Sequence, residues 1–294
     1  MSNTIKAYKG FDKNLQCRGF QYEIGKEYEE RDAKACRCGF HACEYPLDVF
    51  SYYAPANSRF CEVEQSGTID KSESDKTAST KIKIGAELNI AGLVKAAIEY
   101  TRSRCTNEHN AAPGKPATAG EYGAATAGEY GAATAGNRGA ATAGEYGAAT
   151  AGNRGAATAG YAGAATAGEY GAATAGNRGA ATAGNRGAAT AGNRGAATAG
   201  YAGAATAGNR GAATSRGKSC TGENGVCVAR GNGVMVKGGL GSLLVIAEES
   251  TNDYNIVAWK AVVVDGEEIK ADTWYQLKDG ELKEVKEDDN QTEG

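Results

Sequence analysis

The stretch GEYGAATAGEYGAATAGNRGAATAGEYGAATAG, Gly120–Gly152, decides the fold. Its frame repeats every eight residues, and threonine keeps its place in that frame from Thr118 to Thr214 without a gap. Only two positions per octad vary, reading Glu-Tyr, Asn-Arg or Tyr-Ala between two glycines. So strict a period marks stacked, self-similar units. A helix is excluded, because each of the two glycines per octad would cost about 1 kcal/mol relative to alanine and eight residues do not match 3.6 per turn. Collagen is excluded because glycine does not fall at every third position. The remaining ordered solution is a β-solenoid: AATA is the strand, and GEYG, GNRG or GYAG is the corner, with the glycines expected to supply backbone angles that other residues resist.

Strand alternation assigns the side chains. Ala141 and Ala143 share one face and Ala140 and Thr142 the other. The all-alanine face is expected inside, leaving an exposed ladder of Thr126, Thr134, Thr142, Thr150, Thr158, Thr166, Thr174, Thr182, Thr190, Thr198 and Thr206. A buried methyl contributes only about 0.8 kcal/mol, so the stack must lean on its backbone hydrogen bonds. Two octads per coil and three both satisfy the period, and the corner pairs sort more cleanly by three.

The TAG frame with its threonine and varied corner resembles the octad and 16-residue repeats of bacterial ice-nucleation proteins. That resemblance implies a 16-residue coil and a threonine surface that organises water. Here alanine stands where those repeats carry a second hydroxyl, as at Ala140 before Thr142.

After Thr214 the glycine spacing continues with a one-residue slip through Gly217, Gly225, Gly233 and Gly241, now with Val, Met, Leu and Ile between. A linker has no reason to keep its period while turning hydrophobic, whereas a solenoid needs better-packed end coils. The fold class is therefore mainly β, with a central Gly/Ala/Thr β-solenoid. An α+β N-terminal domain is expected over 1–116, with a capping helix near 89–104. The solenoid is expected over 117–249, with regular octads to 214 and hydrophobic end coils over 217–249. A β-meander with an acidic tail is expected over 250–294.

In the first segment IKAYKGF, FQYEIGKEYEE, RFCEVEQSGTI and TKIKIGAEL read as strands, PLDVFSYYA as a short helix from Pro46, and NIAGLVKAAIEYTRS as an amphipathic helix with Ile90, Leu93, Val94, Ala97 and Ile98 on one face. The wording of GFQYEIGKEYE, GFHACEYPLDVFSYY and KIKIGAELNIAGLVKAAIEY resembles an uncharacterised N-terminal domain of bacterial and prophage proteins that precedes short Ala/Thr/Gly repeats. The resemblance implies a phage-encoded factor acting on a host protein, and it implies no active site. At the other end, Asp265-Gly266 and Asp279-Gly280 read as tight turns, with Trp259, Val262, Val264, Trp274 and Leu277 as core candidates.

Functional candidates are few. Cys36, Cys38, His41 and Cys43 could in principle hold a tetrahedral metal, but four ligands within eight residues are cramped and the paired knuckles of a zinc site are absent. Buried thiols are the simpler reading. No nucleophile, base and orienting group can be named together, and Gly217-Lys218-Ser219 lacks the spacing of a phosphate loop. The chain reads as non-enzymatic, with no cofactor. No apolar run approaches the ~20 residues of a membrane span, and MSNTIKAYKG has no signal core, which points to a cytoplasmic protein with reduced cysteines.

The surface most suited to recognition is the varied corner pair. Tyr122, Tyr130, Tyr146 and Tyr170 with Arg138, Arg154, Arg178, Arg186, Arg194 and Arg210 would form rows of residue types that dominate binding hot spots. Their expected partner is a protein, including a second copy of the chain. A net charge of −3 and the glutamates among the corners argue against nucleic acid.

Overall fold

The computed structural model describes residues 4–73, 75–104, 108–111 and 113–285. Cys105 and the acidic tail from Lys286 lie outside them. Two compact units divide the chain, Met1–Tyr100 and Thr101–Gly294.

The first unit is an antiparallel sheet. Its strands are β1 (Ile5–Phe11), β4 (Glu27–Glu29), β5 (Phe40–Ala42), β6 (Arg59–Asp70) and β7 (Thr77–Leu88), in the order β1-β6-β7-β4 with β5 also on β7. A separate two-residue ladder joins β2 (Gln16–Cys17) to β3 (Phe20–Gln21). FQYEIGKEYEE is thus two short strands and an intervening bend rather than one. Pro46–Ser51 is a 3-10 turn, and α1 (Ile90–Arg104) buries Leu93, Val94 and Ala97 as its apolar face predicts. Ala7, Phe11, Val63, Ile82 and Ile84, all fully buried, form the core of the sheet.

The second unit is a parallel β-solenoid of about eight turns closed by antiparallel strands. Ala124–Ala127 pairs in register with Ala140–Ala143, and Ala132–Ala135 with Ala148–Ala151. Partners 16 residues apart settle the coil at two octads, so the tidier 24-residue sorting of the corners was accidental. Successive octads alternate between two sheets that face each other across the core. Ala125, Ala133, Ala141 and Ala149 point inward, each no more than 1% exposed. Two methyl-only faces can meet only if the backbones come close, and the corner glycines allow that approach. A Cβ on Gly139 would lie 2.7 Å from the Cβ of Ala135 and 2.9 Å from the carbonyl of Gly123 one coil below.

The two outer faces are not equivalent. On one, Ala132, Ala148, Ala164 and Ala180 and the threonines Thr134, Thr150, Thr166, Thr182 and Thr198 are exposed. On the other, Ala124, Ala140, Ala156, Ala172 and Ala188 are buried although they point away from the core, and Thr126, Thr142, Thr158, Thr174 and Thr190 are half-buried. Only Thr206 is exposed among the ladder threonines of that second face. The uniform exposed ladder expected from the sequence is therefore an open ladder on one side only.

Past Thr214 the coil changes length. Ala212 pairs with Val226, 14 residues on, and Val226 with Leu243, 17 residues on. Ser215-Arg216-Gly217 replaces a full corner, and the strand runs unbroken from Ala212 to Thr221. Here alanine gives way to Val236, Leu244 and Ile246 in the core. Each sheet then gains an antiparallel strand: Ile256–Val263 pairs with Leu243–Glu249, and Trp274–Lys278 pairs with Met235–Gly238 and, through the Asp279-Gly280 turn, with Glu281–Val285. The expected meander is thus split between the two sheets, because each needs its own terminal strand. Val264, Tyr275 and Leu277 join the solenoid core, so these strands belong to the same unit rather than to a separate domain. Trp259 was expected in that core but is 67% exposed, since its strand covers the end of one sheet with its outer side open.

Near the closing strands Glu249 is buried and receives both guanidinium groups of Arg216 and Arg230, the former through contacts of 3.1 and 2.5 Å. Burial would raise its carboxyl pKa, but those hydrogen bonds prevail and hold it below the usual range. The stability it contributes is present in full above the ordinary carboxylate range and is lost progressively as pH falls from there through that depressed value.

Because the glycine approach sets the coil spacing, Gly139→Ala should cost about 1–3 kcal/mol through overpacking. Ala132→Ser on the open face should stay within about 0.5 kcal/mol. Thermal and denaturant melts of the two variants check this.

Candidate functional site

Each corner but Gly200–Gly203, which lies within the strand Ala196–Ala207, is a four-residue turn closed by a backbone hydrogen bond between its two glycines, as from Gly123 N–H to Gly120 O at 3.0 Å. The third residue of the turn has positive φ: Tyr122 at 56°, Arg138 at 53°, Arg194 at 58° and Arg210 at 57°, with the same conformation at every regular corner. The glycines of the octads were expected to take those angles and do not. They serve close approach, and the left-handed position falls on the variable residue. For an L side chain that conformation costs about 1–2 kcal/mol, and glycine or asparagine is its usual occupant. Asn224 occupies it at 54° in the end coil.

The two variable positions divide the work. The N–H of the third residue donates to the carbonyl of the second residue one coil on, as from Tyr122 to Asn137 at 2.9 Å and from Arg194 to Asn209 at 2.8 Å. Where the second residue is asparagine, its Oδ1 accepts the next coil's backbone N–H. Asn137 takes it from Asn153 at 3.0 Å, Asn177 from Asn193 at 2.8 Å, and Asn193 from Asn209 at 2.9 Å. The asparagines are thereby structural, while the third residue joins the coil-to-coil ladder through its backbone N–H and sends its side chain outward.

Sorted by coil, the side chains form two rows. One runs Tyr122, Arg138, Arg154, Tyr170, Arg186 and is self-paired: Arg138 lies 5.6 Å from the Tyr122 ring and donates to its hydroxyl at 2.6 Å, and Arg154 and Arg186 lie 5.4 and 5.9 Å from the Tyr170 ring. The other row is segregated. Tyr130 stacks on Tyr146 with centroids 5.1 Å apart and planes 8° from parallel, Tyr146 meets Tyr161 edge-on at 5.7 Å, and Arg178 sits 5.7 Å from the Tyr161 ring. Beyond it come Arg194 and Arg210. Arg178, Arg194 and Arg210 are exposed, and no carboxylate among the described residues pairs with any of the three. With Tyr161, Asn177, Asn193, Asn209, Glu223 and Asn224 they line an open groove of about 380 Å³, in which Glu223 is the acidic residue, at the Arg210 end.

Sequence reasoning named the tyrosines and arginines but missed Tyr161. In GYAG the tyrosine occupies the second place rather than the third, and only the 16-residue coil brings it between Tyr146 and Arg178.

The cysteine cluster is dispersed. His41 Nε2 accepts the Cys36 backbone N–H at 3.0 Å, Cys36 is exposed with φ 64°, and Cys43 is buried with its backbone bridged to Tyr8. Burial and the nearby Lys9 lower the His41 pKa, and burial drives the Cys43 thiol far upward. Among the described residues no three histidines, cysteines or carboxylates are grouped as metal ligands. None of their helices is long and apolar enough to cross a membrane.

Residues 5–96 match a family model described as a domain of unknown function, DUF7666. The match is to the sheet-and-helix unit and leaves the solenoid outside it. No curated protein and no solved structure matches the chain.

The division of labour at the corner is measurable. Arg194→Asn should relieve left-handed strain and stabilise by up to about 1 kcal/mol, raising Tm by about 2–4 °C. Asn193→Ala should lose about 0.5–1.5 kcal/mol with its coil-to-coil hydrogen bond. Calorimetry of the two single variants should show opposite signs from adjacent positions.

Proposed function

We propose that the protein is a non-enzymatic binding scaffold, and that its segregated corner row grips an extended acidic segment of a protein partner. The observation that carries this reading is the left-handed backbone at the corners. Arginine and tyrosine occupy positions where asparagine would fold at lower cost, and among the described residues no carboxylate forms an ion pair with Arg178, Arg194 or Arg210, although Glu223 lines the same groove. Strain retained in the folded state concentrates where a side chain serves something other than folding.

Three guanidinium groups spaced by the roughly 4.8 Å of a strand ladder suit a run of carboxylates, and the Tyr130, Tyr146 and Tyr161 end suits aromatic or apolar residues of the same segment. Each exposed ion pair is worth up to about 1 kcal/mol, so the charges orient the partner and the tyrosines supply contact area. A host protein met by a phage-encoded factor is the setting that the sequence resemblance implies for this partner.

A fluorescent poly-glutamate peptide carrying one tyrosine block and a single-stranded DNA of equal charge separate the outcomes. Peptide binding that weakens steeply with salt, and that disappears in the triple variant Arg178→Ser, Arg194→Ser, Arg210→Ser with its Tm undiminished, supports the reading. Stronger binding of DNA, or peptide binding that survives in the triple variant, overturns it.

A second reading, ordering of water, is favoured by the open face alone, where threonines from Thr134 to Thr198 stand in register beside exposed alanines. Absence of thermal hysteresis in concentrated pure protein removes it.

A further inference from the structure

The first unit holds a side-chain cluster that the corner rows do not involve. Lys9, in the middle of β1, is buried at 5% exposure. Its ammonium donates to the carbonyl of His41 at 2.8 Å and reaches the Sγ of Cys17 at 3.6 Å. The Phe11 and Tyr22 rings flank it, with centroids 5.5 and 5.6 Å away. Cys17 is half-buried on β2 and accepts a second hydrogen bond, from the Tyr53 hydroxyl at 3.0 Å. Tyr53 is seated by Gly10, where a Cβ would meet its ring at 2.5 Å. One sulfur thus faces an amine and a phenol in a pocket walled by aromatic rings.

This arrangement has the parts of a thiol reaction. Two donors, the Lys9 ammonium and the Tyr53 hydroxyl, are aimed at this one sulfur, and it is as the thiolate that a cysteine attacks electrophiles. Burial lowers the Lys9 pKa, while the nearby Cys17 opposes that shift. A buried lysine of this kind gives up its proton more readily than one in water. The 3.6 Å from Nζ to Sγ is close to the roughly 3–3.5 Å of a near-attack arrangement. Cys43, Cys61 and Cys227, by contrast, are buried thiols whose pKa values burial pushes up, to about 11 for Cys61 and about 12 for Cys227.

We propose that Cys17 and Lys9 form a hydroperoxide-responsive modification site, at which the lysine amine condenses with the oxidised cysteine to give a sulfenamide cross-link. In the first step the Cys17 thiolate attacks a peroxide oxygen. The S–O bond forms as the O–O bond breaks, and the departing hydroxide takes a proton from the Lys9 ammonium and leaves as water. Sulfur is oxidised to sulfenic acid, the peroxide is reduced, and Lys9 is left as a neutral amine beside its target. In the second step the Nζ lone pair attacks sulfur, the S–O bond breaks, and the hydroxyl leaves as water with one amine proton. With hydrogen peroxide the sum is thiolate, ammonium and peroxide to sulfenamide and two waters. The link ties β1 to β2, and a thiol reductant reverses it.

Peptide mapping of the full-length protein tests the site. After stoichiometric hydrogen peroxide and alkylation of free thiols in denaturant, we expect a peptide pair joined through Lys9 and Cys17, lighter by two hydrogens than the reduced pair, with tryptic cleavage after Lys9 blocked. Dithiothreitol should restore both peptides. In Lys9→Met, Cys17 should stop at sulfenic acid that a cyclic 1,3-dione traps, and in Cys17→Ser no link should form. Should Lys9→Met fail to fold, the wild-type map alone decides. Oxidation first at the exposed Cys36 with Cys17 still alkylated, a disulfide from Cys17, or a Cys17 sulfenic acid that persists in wild type with Lys9 free would each overturn the proposal.

Discussion

The stack of 16-residue coils depends on how closely one backbone can approach the next. Alanine is all that lies between the two sheets of the regular solenoid, and a methyl brings little apolar area. The parallel hydrogen-bond ladders and the coil-to-coil contacts at the corners must therefore carry the cohesion. Past the first corner, glycine is required at both ends for that approach, as Gly136 shows against the Glu121 backbone and Gly139 against Gly123 below and Ala135 beside it. Once those two places and the inward alanines are fixed, little of the octad is free to change. The outward Ala-x-Thr pair suits a strand surface, and the remaining two residues are those of the turn.

The same constraint explains why the ends of the second unit look different. An alanine core cannot terminate without exposing ladder groups and methyls together. The last coils therefore exchange alanine for Val236, Leu244 and Ile246, lose a corner at Ser215-Arg216-Gly217, and accept antiparallel strands on both sheets. Glu249 between Arg216 and Arg230 is affordable there because two guanidinium groups compensate one buried carboxylate. Nothing of that kind occurs at the inward positions of the octads, which hold only alanine.

What the sequence made legible follows from this economy. The period, the strand at AATA and the inward pair such as Ala141 and Ala143 are consequences of spacing alone, and they stand in the structure as read. Coil length was not legible, since eight divides 16 and 24 alike and only the pairing of Ala124 with Ala140 decides it. Nor was the left-handed residue, because glycine is the ordinary expectation for positive φ and here the glycines are needed for proximity instead. The burial of Ala140 and the exposure of Ala132 have no counterpart in their octads, which share the same AATA. Trp259 misled for a related reason: an apolar residue in a strand is read as core, but the terminal strand of a sheet has a side that nothing in this unit covers.

At the candidate site the residue types were legible and their grouping was not. The corner letters in chain order alternate between two rows, and a pattern mixed along the chain separates in space into a self-paired row and a segregated one. In the first, each arginine has a tyrosine within about 6 Å, which consumes its charge locally. In the second, tyrosines contact tyrosines, Arg178 sits over Tyr161, and Arg194 and Arg210 beyond it face solvent. The left-handed place itself is held by asparagine at Asn224 and by alanine at Ala162 and Ala202, so the backbone conformation does not depend on which side chain it carries. The strain is spread over a dozen corners and falls on both rows alike.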